Sequence, residues 1–431
     1  MKKTTFVKIA ALLTGTILTS PVLAQSVSDL ETQITELRQQ VNVLKSRAAS
    51  DPIKSPIKVK WEPAPSISSP DGLFEMNIRG RLYMDFATIN DKNDNENTSA
   101  TEFRTARLGV EGKAWKDVKY KFEADFAGNE VTVKDAYLQW SGPSQITVGQ
   151  FKTPNSLEEQ TSSRYTTFME RASFTDAFGL ARQMGVGIGF GGDNYTVNMG
   201  VFKGSNGTRA ENEGIAFASR ATYGPKMGET QLHLGASVRF QNQGDEQSDI
   251  RYRQRPHNHL AANRYVVTNK IANKDQMIGL EAAAVMGAFS LQGEWATLKA
   301  NLSNPSFGQL DPSFNGGYVE ASYMVTGESR AYDPKKGSFQ RVKVNNPVFS
   351  GGMGAVQLAV RYDRIDLSDK GIFGGEQDTI ILGANWWLNR HTRFMVNYSR
   401  SKVKNATDVS LNGVDGKNTI NTIGVRAQID W

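Results

Sequence analysis

No cysteine occurs anywhere in the 431 residues, which excludes a disulfide scaffold, thiolate zinc sites and thiol catalysis. Long apolar runs are also missing inside the chain. With a mean hydropathy of −0.45 and no internal stretch near the roughly 20 apolar residues of a spanning helix, a polytopic helical membrane protein is excluded. An excess of one charge sign is lacking too. The formal charge of +6 includes Lys2, Lys3 and Lys8 of the first 24 residues, which hold no acid, so the remainder carries +3. That balance gives no basis for a nucleic-acid binder. Enzyme signatures are absent: there is no GxSxG elbow and no HExxH pair. Gly187–Gly192 matches GxGxxG in form, but Asp193-Asn194-Tyr195-Thr196 leads into another strand rather than a helix. His257 and His259 have no third ligand in pattern. No metal site and no cofactor is expected, and the chain does not read as an enzyme.

What is present begins with an export signal. Lys2 and Lys3 precede an apolar stretch from Ile9 to Leu18, then Pro21 and Val22-Leu23-Ala24. This is the n-region, h-region and small-residue cleavage pattern, which assigns residues 1–24 to a signal peptide. Val27, Leu30, Ile34, Leu37, Val41 and Leu44 follow at alternating spacings of three and four. Residues 25–50 therefore read as a short periplasmic coiled coil, with a single amphipathic helix as the alternative. Residues 51–72, with Pro52, Pro56, Pro63, Pro65 and Pro70, read as an extended linker.

From residue 73 to 431 the dominant period is two. Ile423, Val425, Ala427, Ile429 and Trp431 alternate with Thr422, Gly424, Arg426, Gln428 and Asp430. Ile78, Leu82, Met84 and Phe86 oppose Arg79, Arg81, Tyr83 and Asp85. About sixteen such segments, centred from Leu82 to Val425, run to about ten residues or more, where sandwich strands are usually about 5–6. Their polar faces repeatedly carry full charges, and helix-period faces that could cover them are scarce. The fold class is therefore all-β: a closed transmembrane antiparallel barrel of about sixteen strands. Aromatics near segment ends, Tyr83, Phe86, Trp115, Tyr120, Trp140, Trp386, Trp387, Tyr398 and Trp431, suit interfacial girdles. Trp115-Lys116-Asp117 and Leu388-Asn389-Arg390 are expected as tight turns. Asp91–Ala100, Gly244–Lys274 and Asn301–Asn315 are expected as long loops.

Arg104-Thr105-Ala106-Arg107-Leu108-Gly109-Val110-Glu111-Gly112, Val133-Lys134-Asp135-Ala136-Tyr137 and Val148–Pro154 resemble strand signatures of the phosphate-selective porins O and P. The run from Ser156-Leu157-Glu158-Glu159 to Phe168-Met169-Glu170-Arg171 is the most specific part of that resemblance. It implies a sixteen-stranded trimeric barrel of the bacterial outer membrane. It also implies a long third loop folded into the lumen, and arginine rows guiding anions. Phosphate-selective members have a basic residue where Glu159 aligns, while the eyelet arginine corresponds to Arg171; an acid there weakens an oxyanion site.

The residues themselves are consistent with a charge-lined pore. Residues 154–182 lack sustained alternation and are expected to form the inward-folded constriction, with Glu159, Arg164, Glu170, Arg171 and Arg182 as its charged groups; an extracellular loop clear of the pore is the alternative. Strand parity turns Arg79, Arg81, Arg107, Lys113, Lys121, Arg361, Arg393 and Arg426 to the lumen, where basic rows favour anions. Carboxylates such as Glu111, Glu123 and Asp125 share that face and offset part of the field. Arg251, Arg253 and Arg255 alternate as a basic ladder at a pore mouth or as a solvated loop. The expected partners are outer-membrane lipid, lipopolysaccharide, two further copies of the chain, small anions as permeants, and peptidoglycan through the coiled coil. A sugar or organic-acid porin, a non-conducting envelope tether and an outer-membrane hydrolase stand as rival readings.

Overall fold

The computed structural model describes residues 27–50, 57–61, 63–203, 213–244 and 249–431. The signal read at residues 1–24 lies outside them. Two units separate between Pro56 and Ile57. The first contains one helix, α1 (Val27–Ser50), where the heptad-spaced Ile34, Leu37 and Val41 stand about half exposed.

The second unit is a barrel. Its strands are β1 (Glu75–Asp91), β2 (Asn97–Ala114), β3 (Val118–Asp125), β4 (Thr132–Ser141), β5 (Gln145–Lys152), β6 (Arg182–Gly191), β7 (Tyr195–Phe202) and β8 (Ile215–Tyr223). They continue as β9 (Thr230–Asn242), β10 (Ala272–Met286), β11 (Phe289–Leu302), β12 (Ser313–Met324), β13 (Ala355–Asp369), β14 (Ile372–Trp387), β15 (Thr392–Ala406) and β16 (Asn418–Asp430). Each pairs antiparallel with the next, and β16 returns to β1 from Asp430↔Arg81 to Ile420↔Asp91, so among the described residues the sixteen strands close. Every segment centre read from alternation falls in one of them. Closure removes the free edges that a membrane cannot tolerate.

The seam carries a specific fit. The Trp431 ring lies over Gly80, where any Cβ would come within 2.0 Å of it, and the two residues exchange backbone hydrogen bonds of 3.3 and 3.0 Å. Outward positions toward the turn end are apolar, while the tall strands carry exposed charge near the loop end, as at Arg400, Lys402 and Lys404. Trp140, Tyr195, Tyr223, Phe289, Tyr323, Trp386 and Phe394 stand exposed next to the short turns, as one interfacial girdle. Wall height is uneven: β3 to β8 have eight to ten residues each, against seventeen and sixteen in β1 and β14.

Several expectations need correction. Tyr83 and Trp387 are not girdle residues; their strand parity turns them inward, where both are buried. Asp91–Ala100 is mostly strand, because β1 and β2 extend past the expected ends and leave only 92–96 as a connection. The linker region is partly ordered: Lys58–Trp61 pairs with Pro65–Ser68, which pairs with the start of β1. The Pro65 ring is tolerated there because it opens a short strand.

Among the described residues, three connections fold into the barrel. L3 (153–181) and the described part of L5 (243–244 and 249–271) enter from the loop end, and a return segment of about thirty residues (325–354) enters from the turn end. Phe174, Phe178 and Leu180 of L3 join Tyr252, Tyr265 and Val266 of L5 in an apolar core against Leu298, Phe314, Ile365 and Ile420 of the wall. Glycines make the room: a Cβ at Gly383 would meet Phe168 at 2.9 Å, and one at Gly316 would meet Phe174 at 3.0 Å. The loops thus fill the side of β9 to β16 and leave the side of β2 to β7 open.

Candidate functional site

L3 is held by carboxylates of the wall. Its first helix, α2 (Leu157–Gln160), offers its Leu157 and Glu158 amides to Glu294 on β11 at 2.9 and 2.7 Å. Its second, α3 (Ser173–Ala177), offers the Ser173 amide to Asp363 on β13 at 3.1 Å. Free amides at a helix start accept negative charge, so inward-facing acids dock the loop. Arg361 on β13 is fully buried between Glu320 and Glu158, and it also stacks on Phe168 and Tyr318. It anchors the loop and does not face the open space.

The return segment meets L3 from below. Phe339 packs with Leu157, Ala283 and Val285, and its amide donates to Thr161 Oγ1 at 3.3 Å. Arg330 lies over the Phe339 ring at 3.7 Å and donates to Gln292 and Glu320. Nothing in the alternation announced this segment, since short turns are the rule at that end.

Between L3 and the walls of β2 to β7 lies a cavity of about 1270 Å³. It reaches from Asn258, His259 and Arg264 of L5 to Gly142–Ser144 and Gly191–Asp193 in the turns, so it runs the length of the barrel. Ten arginines and five lysines line it against five carboxylates, Asp135, Glu159, Glu170, Asp176 and Asp193. Each of those carboxylates is paired. Asp135 takes Arg182 at 2.6 Å and Lys121 at 2.9 Å. Glu159 takes Arg171 at 3.1 Å and Lys152 at 3.5 Å. Glu170 takes Arg104 at 3.0 Å and Arg426 at 3.1 Å. Behind the lining, Asp85, Glu123, Asp125, Glu281 and Asp333 hold Arg426, Arg81, Arg107, Arg220 and Lys336. Fifteen cations against those ten carboxylates still leave a positive excess. Lys119, Arg164 and Arg255 carry no ion pair among the described residues.

Burial pushes the Glu170 carboxyl up, but Arg104 and Arg426 overcome it and hold the group down to about 2. Glu159 is likewise held below its ordinary value against burial, first by Arg171 and then by Lys152. Both loop carboxylates are thus fixed anions at neutral pH.

Of the residues singled out in the sequence, Glu159, Arg164, Glu170, Arg171, Arg182, Arg81, Arg107, Lys121, Arg426 and Arg255 line this cavity. Arg182 belongs to β6 and not to the loop, because pairing with Lys152 resumes there. Arg79 and Lys113 face inward but lie outside the lining, paired with Glu111 and Glu75. Arg361 and Arg393 are covered by L3. In L5, Arg251 is exposed and Arg253 half-buried, and neither reaches the cavity. Arg104, Lys119, Lys152 and Arg220 were not singled out. Arg104 sits at a bulge between Tyr83 and Met84, where parity fails. Arg220 alternates with the outward Phe217 and Tyr223, a signal the sequence did carry.

Comparison with known proteins decides the family. A model described as "Phosphate-selective porin O and P" matches residues 76–431. The chain belongs to that family. It is therefore an outer-membrane porin, and its short turns face the periplasm. An uncharacterized protein of Caulobacter vibrioides is 34% identical over 396 residues, covering 88% of this chain and 78% of that one. Porin O of Pseudomonas aeruginosa is 25% identical over 397 residues, covering 82% and 88%. Among solved structures, the anion-selective porin from Comamonas acidovorans superposes with a TM-score of 0.55 at 15% identity, over 83% of this porin and all of that chain. The outer membrane channel DcaP of Acinetobacter baumannii gives 0.52 at 13% identity, over 83% and 97%. At such identities these structures speak for the shared barrel only.

Proposed function

We propose that this porin lets small hydrophilic solutes diffuse through the eccentric cavity with a preference for anions, chloride and phosphate alike. The carrying observation is the cation excess that survives every pairing in and behind the lining. A permeating anion meets guanidinium and ammonium groups in a confined, partly desolvated passage, where each contact is stronger than in bulk water. Glu159 argues against a dedicated phosphate site, since it takes up Arg171 and Lys152. The Comamonas porin, which shares the barrel, is anion-selective, in agreement with this reading. The open cavity tells against a non-conducting tether; His257 at its edge meets the Ser173 hydroxyl at 2.9 Å, but that hydroxyl is fully buried and off the lining, which does not favour a hydrolase.

The assembly we infer is a homotrimer; OmpT of Vibrio cholerae, which has the same barrel, is known in a trimer form. The apolar seam of α1 supports self-association through a coiled coil, which also leaves its polar face free for peptidoglycan. The outward apolar wall contacts lipid and lipopolysaccharide. The deciding experiment is the zero-current potential of the purified porin in a planar bilayer under a potassium chloride gradient. An anion-side potential that falls in a Lys119→Glu/Arg255→Glu double variant supports the proposal, since neither residue holds an ion pair that folding needs. A potential near zero or cation-side in the wild type refutes it. Block of chloride current by phosphate would restore a specific phosphate site.

A further inference from the structure

A second basic site lies off the pore. At the periplasmic end, between the tip of L3, the return segment and the β14–β15 turn, a separate cavity of about 10 Å³ has room for one water-sized occupant. Its charged walls are Arg164 from L3, Arg341 from the return segment, Arg390 from the turn and Arg393 from β15; Tyr165, Val342, Trp387, His391 and Gln428 complete the lining. Asp430 is the nearby acid, and its Oδ1 is already engaged by Arg341 at 2.6 Å and His391 at 3.2 Å. Its Oδ2 has no partner.

The decisive group is Arg393. It is 1% exposed and forms no ion pair among the described residues; Asp430, whose charge reaches it, is already engaged by Arg341 and His391. Its guanidinium donates to the Thr166 carbonyl and to Gln428 Oε1, both at 2.7 Å, and stacks on Trp387 at 5.2 Å, while its Nε has no acceptor. A guanidinium sealed from water beside other cations is costly unless a counter-charge stands nearby. Arg164 and Arg390 add two more cations with no ion pair among the described residues, and Arg164 and Arg341 both lie over the Tyr165 ring, at 5.2 and 5.3 Å. The walls thus present N–H donors in excess around a space too small for an organic molecule.

We propose that this niche holds one small inorganic anion of the chloride class, which neutralises Arg393 and ties the L3 tip to the return segment and to β15. The site is distinct from the permeation path, although Arg164 borders both. A neutral water in the same place would satisfy a donor but leave the charge uncompensated.

The test is crystallographic. Crystals of the full porin in sodium bromide, measured at the bromine edge, should show an anomalous peak in contact with the Arg393 guanidinium. In Arg393→Gln that peak should vanish while any peaks at pore arginines remain. Bromide at the pore with none in the niche, or a niche peak unmoved by the substitution, overturns the proposal. A second readout needs no crystals: at equal ionic strength the wild type should melt higher in sodium chloride than in sodium gluconate. That difference should shrink in Arg164→Gln or Arg390→Gln, which keep Arg393 and its folding contacts. Equal melting of the wild type in both salts also overturns it.

Discussion

Replacing Glu170 by glutamine is the most direct test of how the pore field is built. The change keeps the shape of the side chain and removes one fixed negative charge that now offsets Arg104 and Arg426. A permeating anion touching either guanidinium would lie about 6 Å from the lost charge. At that distance the relief of repulsion is about 0.7 kcal/mol in a water-like dielectric and about 3 kcal/mol at an effective dielectric of about 20. The cavity is open and salt-filled, so the lower part of that range applies, about 1 kcal/mol, or roughly fivefold in anion occupancy. The anion-to-cation permeability ratio, read from zero-current potentials, should rise by about that factor. An unchanged or lower ratio would refute the charge accounting.

The pH dependence separates this from a generic effect. Glu170 sits near 2 instead of the ordinary 4.5, so it stays ionised between pH 7 and pH 4, and its contribution is lost only as pH falls through about 2. The gap between Glu170→Gln and wild type should therefore be constant over pH 7 to 4. Closure of the gap near pH 4.5 would show an ordinary glutamate and undo the assigned pairing.

Other outcomes follow from the packing. Phe174→Ala should cost about 3–5 kcal/mol, as aromatic deletions in cores do, lower the unfolding midpoint, and raise single-channel conductance as L3 loosens. Gly80→Val should impair closure at the β16–β1 seam, because no Cβ fits under Trp431; loss of the heat-modifiable folded band on gels is the readout. Changing Ile34, Leu37 and Val41 to serine should weaken chemical cross-linking into trimers while leaving conductance per channel unchanged.

The barrel was legible because its physics is local. Lipid on one side and water on the other impose a period of two, and sixteen centres could be counted from it. The inward loop was legible in part, because residues 154–182 broke the alternation; the buried Phe168, Phe174 and Phe178 that seat it were a signal left unread. The division of the lumen was not legible. Parity places Arg81, Arg361 and Arg393 on the same face, yet only Arg81 meets open space, because which half is filled depends on L3, L5 and the return segment packing together. That segment lacks any local periodicity; its anchors, Arg330 and Phe339, find partners more than a hundred residues away in Leu157 and Thr161 as well as near ones. Arg104 escaped because a single bulge reverses the parity on which the reading rests.

The uneven wall has a consequence for the surrounding bilayer. Eight-residue strands rising about 3.3 Å per residue and tilted by about 40° stand about 20 Å tall, and sixteen-residue strands about 40 Å. The hydrocarbon layer is about 30 Å thick. A solitary barrel would therefore pinch the membrane along β3 to β8, at a cost of fractions of a kcal/mol per Å of mismatch, whereas the tall strands only raise exposed charges such as Arg400, Lys402 and Lys404 above the lipid. Turning the low sides of several copies toward one another removes the pinched lipid altogether. Bilayer elasticity would thus favour contact between copies along β3 to β8, where the wall is lowest.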